Sequence, residues 1–132
     1  MITSLEYDFS DLGVDENRIG RVLAERDGYP HHEFSGLITE LLNNASRVCT
    51  VKAEYRVFPV GEWNDEEKTV TLSDVVFNLK DIVFKQLSLA ESIAIFLCTA
   101  GPGTEKLAGK SMEDGDPLAS YIYDIIGSEI AE

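Results

Sequence analysis

The 132 residues suffice for one domain with a core of its own and are too few for two ordinary ones, so a single domain over 1–132 is expected. A hydrophobic share of 44% against 27% charged excludes a disordered chain, and 24 acidic against 11 basic side chains give a net charge of −13 that opposes binding to nucleic acid or anionic membranes. No apolar run approaches the roughly 20 residues of a membrane span, and the opening Met-Ile-Thr-Ser-Leu-Glu-Tyr-Asp lacks the regions of a signal peptide, so a cytoplasmic location is expected.

Weak alternation of Ile2, Leu5, Tyr7 and Phe9 predicts an edge strand at the start. Asp15 fits an N-cap, with Val14 and Ile19 at the spacing of a hydrophobic staple, and Gly28 stands where a glycine would end that first helix. Pro30 suits the first turn of a second helix, whose stripe is Phe34, Leu37, Ile38, Leu41, Leu42, Ala45 and Val48. His31 and His32 at its mouth read as a solvated helix start, because a metal would need further convergent ligands.

From Val51 to Val60 the period falls to two. Ala53, Tyr55 and Val57 face one way and Lys52, Glu54 and Arg56 the other, which predicts a strand with one wet face. Gly61 to Lys68, with Trp63, reads as a polar loop, and Thr69 to Leu72 as the returning strand of a hairpin. Asn78 followed by Asp81 resembles a cap for a short third helix containing Leu79, Ile82, Val83 and Leu87. Ser92 to Gly101, an apolar run through Ile93, Ile95, Phe96 and Leu97, reads as a strand covered on both faces by the rest of the chain. Cys49 and Cys98 have no CxxC spacing and indicate neither zinc nor a redox pair; Cys98 is read as a small core hydrophobe.

The residues after this strand, Thr99-Ala-Gly-Pro-Gly-Thr-Glu-Lys-Leu-Ala-Gly-Lys-Ser111, contain the ingredients of a phosphate loop. The spacing rejects that reading, because five residues separate Gly103 from Gly109 where the motif has four, and Lys110 falls inside a helix. Gly101, Pro102 and Gly103 are better suited to a tight strand-to-helix turn, whose free N–H groups could meet an anionic group. Asp116 as N-cap and Pro117 open a last helix with a stripe of Leu118, Tyr121, Ile122, Ile125, Ile126 and Ile130; Tyr123, Asp124, Ser128 and Glu129 lie off that stripe, and Gly127 marks a close approach. No nucleophile–base pair or carboxylate pair can be assembled from the spacing.

Cys98-Thr-Ala-Gly-Pro-Gly103, followed by Glu113-Asp-Gly-Asp-Pro-Leu-Ala-Ser-Tyr-Ile-Tyr-Asp-Ile-Ile-Gly-Ser-Glu-Ile-Ala-Glu132, resembles the activation domain of vitamin B12-dependent methionine synthase, in particular its small stand-alone relatives. Gly28-Tyr29, Ala53-Glu-Tyr-Arg-Val-Phe-Pro-Val60 and Gln86-Leu-Ser-Leu-Ala-Glu-Ser-Ile-Ala-Ile-Phe96 extend the similarity over nearly all of the chain. The resemblance implies an α+β fold with a bent, mixed or antiparallel sheet and flanking helices. It also implies binding of S-adenosylmethionine and docking on a corrinoid (cobalamin) protein or methyltransferase. The cofactor contacts that the resemblance implies are Thr99, Gly101 and Gly103, together with Glu129 or Glu132 as the family's carboxylate. The family's arginine four residues ahead of a Gly-Tyr pair has no match here, which leaves open a non-catalytic module that has lost the cofactor site. Apolar side chains on several sides of such short helices also allow a homodimer.

Overall fold

The computed structural model describes residues 1–28 and 33–132. Expectations placed on Tyr29, Pro30, His31 and His32 fall outside these residues. The described chain forms strands β1 (Thr3–Tyr7), β2 (Val51–Asn64), β3 (Thr69–Leu72), β4 (Val75–Asn78) and β5 (Ser92–Thr99). Its helices are α1 (Glu16–Asp27), α2 (Ser35–Val48), α3 (Asp81–Leu87), α4 (Gly103–Glu113) and α5 (Pro117–Ala131). The strands make a five-stranded sheet in the order β1-β2-β3-β4, with β5 also paired to β2, so the α+β class expected from the sequence holds. Two compact units emerge: Met1–Thr3 with Glu54–Leu97, and Ser4–Ala53 with Cys98–Glu132.

In the second unit, α4 packs on α5, and α2 packs on α1, α4 and α5. The caps explain where two of these helices start and stop. Asp15 accepts a hydrogen bond from the Arg18 N–H at 2.9 Å, and Gly28 ends α1 in the left-handed conformation at φ +70. Asp116 accepts from the Ala119 N–H at 3.0 Å, with Pro117 in the first turn of α5. Ile19, Leu23, Ile38, Leu41, Leu42, Ile122, Ile125, Ile126 and Ile130 are buried together. Each such side chain contributes on the order of 1.5–3 kcal/mol when taken out of water. Two residues expected off the α5 stripe, Tyr123 and Glu129, are instead buried, and Tyr121 from the expected stripe is 38% exposed. The buried arc of α5 is wider than the sequence stripe because both α1 and α2 cover it.

In the first unit, β2 pairs antiparallel with β3, Val60 opposite Leu72 and Trp63 opposite Val70. The extra residue on β2 between these pairs is a bulge. The hairpin expected here is present, but β2 runs on to Asn64, so Trp63 belongs to a strand and not to a polar loop. Asn64 Oδ1 closes the following turn by accepting from the Glu66 and Glu67 N–H groups, each at 3.0 Å. The turn at Ser73, with φ +53, leads into β4, which pairs antiparallel with β3. Asn78 is therefore a strand residue; Lys80 precedes α3 without a capping side-chain bond. Val70, Leu72 and Phe84 are buried in this unit, and Trp63 meets Phe84 edge-on at 5.5 Å.

The largest departure concerns β5. Its residues were expected to be covered on both faces, yet Phe96 is 69% and Leu97 74% exposed, and Cys98 is exposed as well. An unbroken apolar run signals that a strand is to be covered, without saying by which chain. Here β5 has β2 as its strand partner, and the side chains of Phe96 and Leu97 stay open among the described residues.

Candidate functional site: the cleft between α4 and α5

The turn from β5 into α4 is built from residues that allow the backbone to approach its neighbours closely. Thr99 Oγ1 accepts a hydrogen bond from the Gly101 N–H at 3.0 Å, and the Thr50 N–H donates to the Ala100 carbonyl at 2.9 Å. Gly101 has φ +77, and a Cβ there would stand 3.1 Å from the Thr50 backbone nitrogen, so both its conformation and its lack of side chain are needed. A Cβ on Gly103 would overlap the Val48 carbonyl oxygen. This glycine lets α4 start directly against the end of α2.

Beyond the turn lies a cleft of about 380 Å³, within the roughly 300–1,000 Å³ range of small-molecule sites. Gly101, Thr104 and Glu105 form one wall and Tyr123, Asp124, Gly127 and Ser128 the other. Pro102, the N-cap of α4, supplies no side-chain hydrogen bond to the first N–H groups of the helix. Thr104 is 5% exposed, and its Oγ1 would lie 3.0 Å from a Cβ built on Gly127, which explains the glycine in mid-helix: α4 and α5 meet there. Tyr123 is buried and its hydroxyl accepts a hydrogen bond from Asn44 Nδ2 at 3.1 Å, which fixes the ring from the α2 side. Ser128 Oγ donates to the Asp124 carbonyl at 3.0 Å. Glu105 and Asp124 are exposed carboxylates among the lining residues, so the field of the cleft favours positively charged groups.

The residues singled out from the sequence are placed unevenly. Gly101 lines the cleft, Thr99 holds the turn from behind, and Gly103 is taken up by packing against Val48. Glu129 is 8% exposed and ion-paired with Arg18 on α1, 2.5 Å from Glu129 Oε2 to Arg18 Nε. Glu132 is exposed just beyond α5. Thr104, Tyr123 and Asp124 were missed as a set. Their signal was present in part, because Asp124, Gly127 and Ser128 recur at three- and four-residue spacing on a face of α5 that the apolar stripe does not use. Lys110, the lysine of the rejected phosphate loop, is exposed in the last turn of α4, far along the helix from its amides. Among the described residues, no group of three His, Cys, Asp or Glu side chains is arranged to hold a metal ion, and no helix is long and apolar enough to cross a membrane.

This arrangement of sheet and helices is that of a methionine synthase reactivation domain. One solved structure it matches is the MetH reactivation domain bound to AdoHcy, at a TM-score of 0.65 and 14% sequence identity, over 99% of this chain and 51% of that one. The likeness is one of fold, and the chain spans about half the length of that structure. No protein-family model and no curated protein sequence matches the chain.

Proposed function

We propose that the protein is an accessory of corrinoid-dependent methyl transfer, which binds S-adenosylmethionine in the α4–α5 cleft and docks on a corrinoid-carrying protein in the cytoplasm. The observation that carries this reading is the shared fold over 99% of the chain with a reactivation domain that holds AdoHcy. The chemistry of the cleft agrees with it. The first amides of α4 suit the ligand's carboxylate, while Asp124 and Glu105 suit its ammonium and sulfonium charges. Tyr123 offers a wall held in place by Asn44. S-adenosylmethionine, when bound, supplies an electrophilic methyl group; the chain's own residues bind it and orient it. A corrin macrocycle is far larger than this cleft, so the cobalamin belongs to the partner.

The ion pair of Glu129 with Arg18 favours a second reading, because a carboxylate committed to an arginine is not free for a ligand. In that reading the protein is an interaction module for a corrinoid protein that has lost the cofactor site. Titration calorimetry with S-adenosylmethionine separates the two. Saturable binding that weakens in Asp124→Asn supports the first; silence with the ligand alone and in the presence of a corrinoid protein, together with a stable protein complex, leaves only the second.

A further inference from the structure

The free edge of β5 is a site that the reading above does not use. Among the described residues β5 pairs with β2 and with no other strand, so its outer edge presents unpaired backbone N–H and C=O groups. Edge strands are normally guarded by charge or proline, and Ser92-Ile-Ala-Ile-Phe-Leu-Cys-Thr99 has neither. Its side chains are open too, with Ile95 37%, Phe96 69% and Leu97 74% exposed. Beside them Ile2, Tyr55, Phe58, Ile95 and Leu97 line a mainly apolar groove of about 240 Å³. The charged residues of that groove are one acid and one base, Glu54 and Arg56, the latter with its guanidinium 4.7 Å from the Phe58 ring.

We propose that β5 pairs antiparallel with β5 of a second copy of this chain, about a two-fold axis at Ile95. The strand is self-complementary in that register. Ile95 meets itself, Ile93 opposes Leu97 of the second copy, and small Ala94 opposes large Phe96 of the second copy, each pair on one face of the continued sheet. Two-fold pairing makes the same patch serve both copies. It also brings together a segment free of net charge in a molecule of net charge −13, where most other surfaces would repel a second copy. The edge of β4 is uncharged as well, but it has four residues against eight for β5 and is too short to compete. The pairing does not depend on the methyl-transfer reading.

Sedimentation velocity on the full chain, from about 1 to about 100 μM, reads the assembly directly. A two-copy mass is expected, and Phe96→Lys and Leu97→Lys each raise the dissociation constant by about 100-fold while far-ultraviolet ellipticity is kept, because both side chains are exposed in the single copy. Val76→Lys on β4 leaves the dimer intact. In a Cys49→Ser, Cys98→Ser background, Ile95→Cys gives an intermolecular disulfide on mild oxidation, whereas Val75→Cys does not. A monomer at all concentrations, a dimer indifferent to both β5 lysines, or one broken by Val76→Lys instead would overturn the proposal.

Discussion

Arg18 on α1 and Glu129 on α5 meet with Arg18 Nε 2.5 Å from Glu129 Oε2, and Arg18 Nη2 also reaches the Glu129 carbonyl at 3.4 Å. The glutamate side chain is 9% exposed and the arginine 32%, so the pair is partly shielded from water. Arg18→Met strands a nearly buried carboxylate and is expected to cost about 2 kcal/mol in urea unfolding. The double variant Arg18→Met, Glu129→Met should lose less than the sum of the single losses, since it removes both charges. Ligand affinity in Glu129→Gln, with the fold intact, separates its role as a tie between helices from any role in the cleft.

Gly103 and Gly109 lie in the same helix and should respond oppositely to alanine. At Gly103 the new methyl overlaps a backbone carbonyl, that of Val48, which cannot rotate away; a loss of about 3 kcal/mol is expected. At Gly109 nothing lies within 4 Å of the added carbon, so Gly109→Ala should stabilise by about 0.5–1 kcal/mol through helix propensity alone. Chemical denaturation of the two variants side by side gives both signs in one experiment.

The caps give a third expectation. Asp116→Ala removes the acceptor for the Ala119 N–H and should cost about 1 kcal/mol. Asp116→Asn, which keeps an acceptor oxygen, should recover most of that loss in the same thermal melts.

Burial pushes the Cys49 thiol above its ordinary pKa, with a backbone hydrogen bond acting in the opposite direction and more weakly. Its thiolate is therefore scarcer at a given pH. In a Cys98→Ser background, the rate of alkylation should rise with pH along a curve displaced upward from that of a free thiol. The linked stability runs the same way: the folded state holds this proton more firmly, so its contribution is full below the ordinary thiol pKa and is lost as pH climbs through the raised value.

The proposed binding mode makes a prediction about charge. S-adenosylmethionine carries a sulfonium cation that AdoHcy lacks, and Asp124 and Glu105 are the carboxylates among the residues that line the cleft. Calorimetry should find S-adenosylmethionine several-fold the tighter ligand, with the gap closing as salt screens these carboxylates. Equal affinities at low salt would remove the carboxylates from the binding account.

Much of the second unit could be read from residues whose effect is local. Asp15, Gly28, Asp116 and Pro117 act on backbone groups a few positions away, and the three- and four-residue spacing from Ile38 to Ala45 reports the face that packs. The phosphate-loop spacing likewise needed only counting. What was not legible depends on distant partners. Tyr123 and Glu129 are buried by α2 and α1, and no pattern within α5 could say so. β4 went unseen because Val75–Asn78 is too short to show a period, and the exposure of β5 reversed an inference that is sound for the strand and silent about its cover.

Trp63 is the only tryptophan in the sequence, and it stands edge-on to Phe84 at 87° within the unit that holds most of the sheet. Among the described residues, four of the five α-helices, α1, α2, α4 and α5, belong to the other unit. Nature has thus fitted the chain with two independent dials. Indole emission follows the loosening of one unit, while far-ultraviolet ellipticity follows mainly the other. Superimposed denaturation curves would mean that the two units melt as a single cooperative body, and separated curves that one can open while the other keeps its shape.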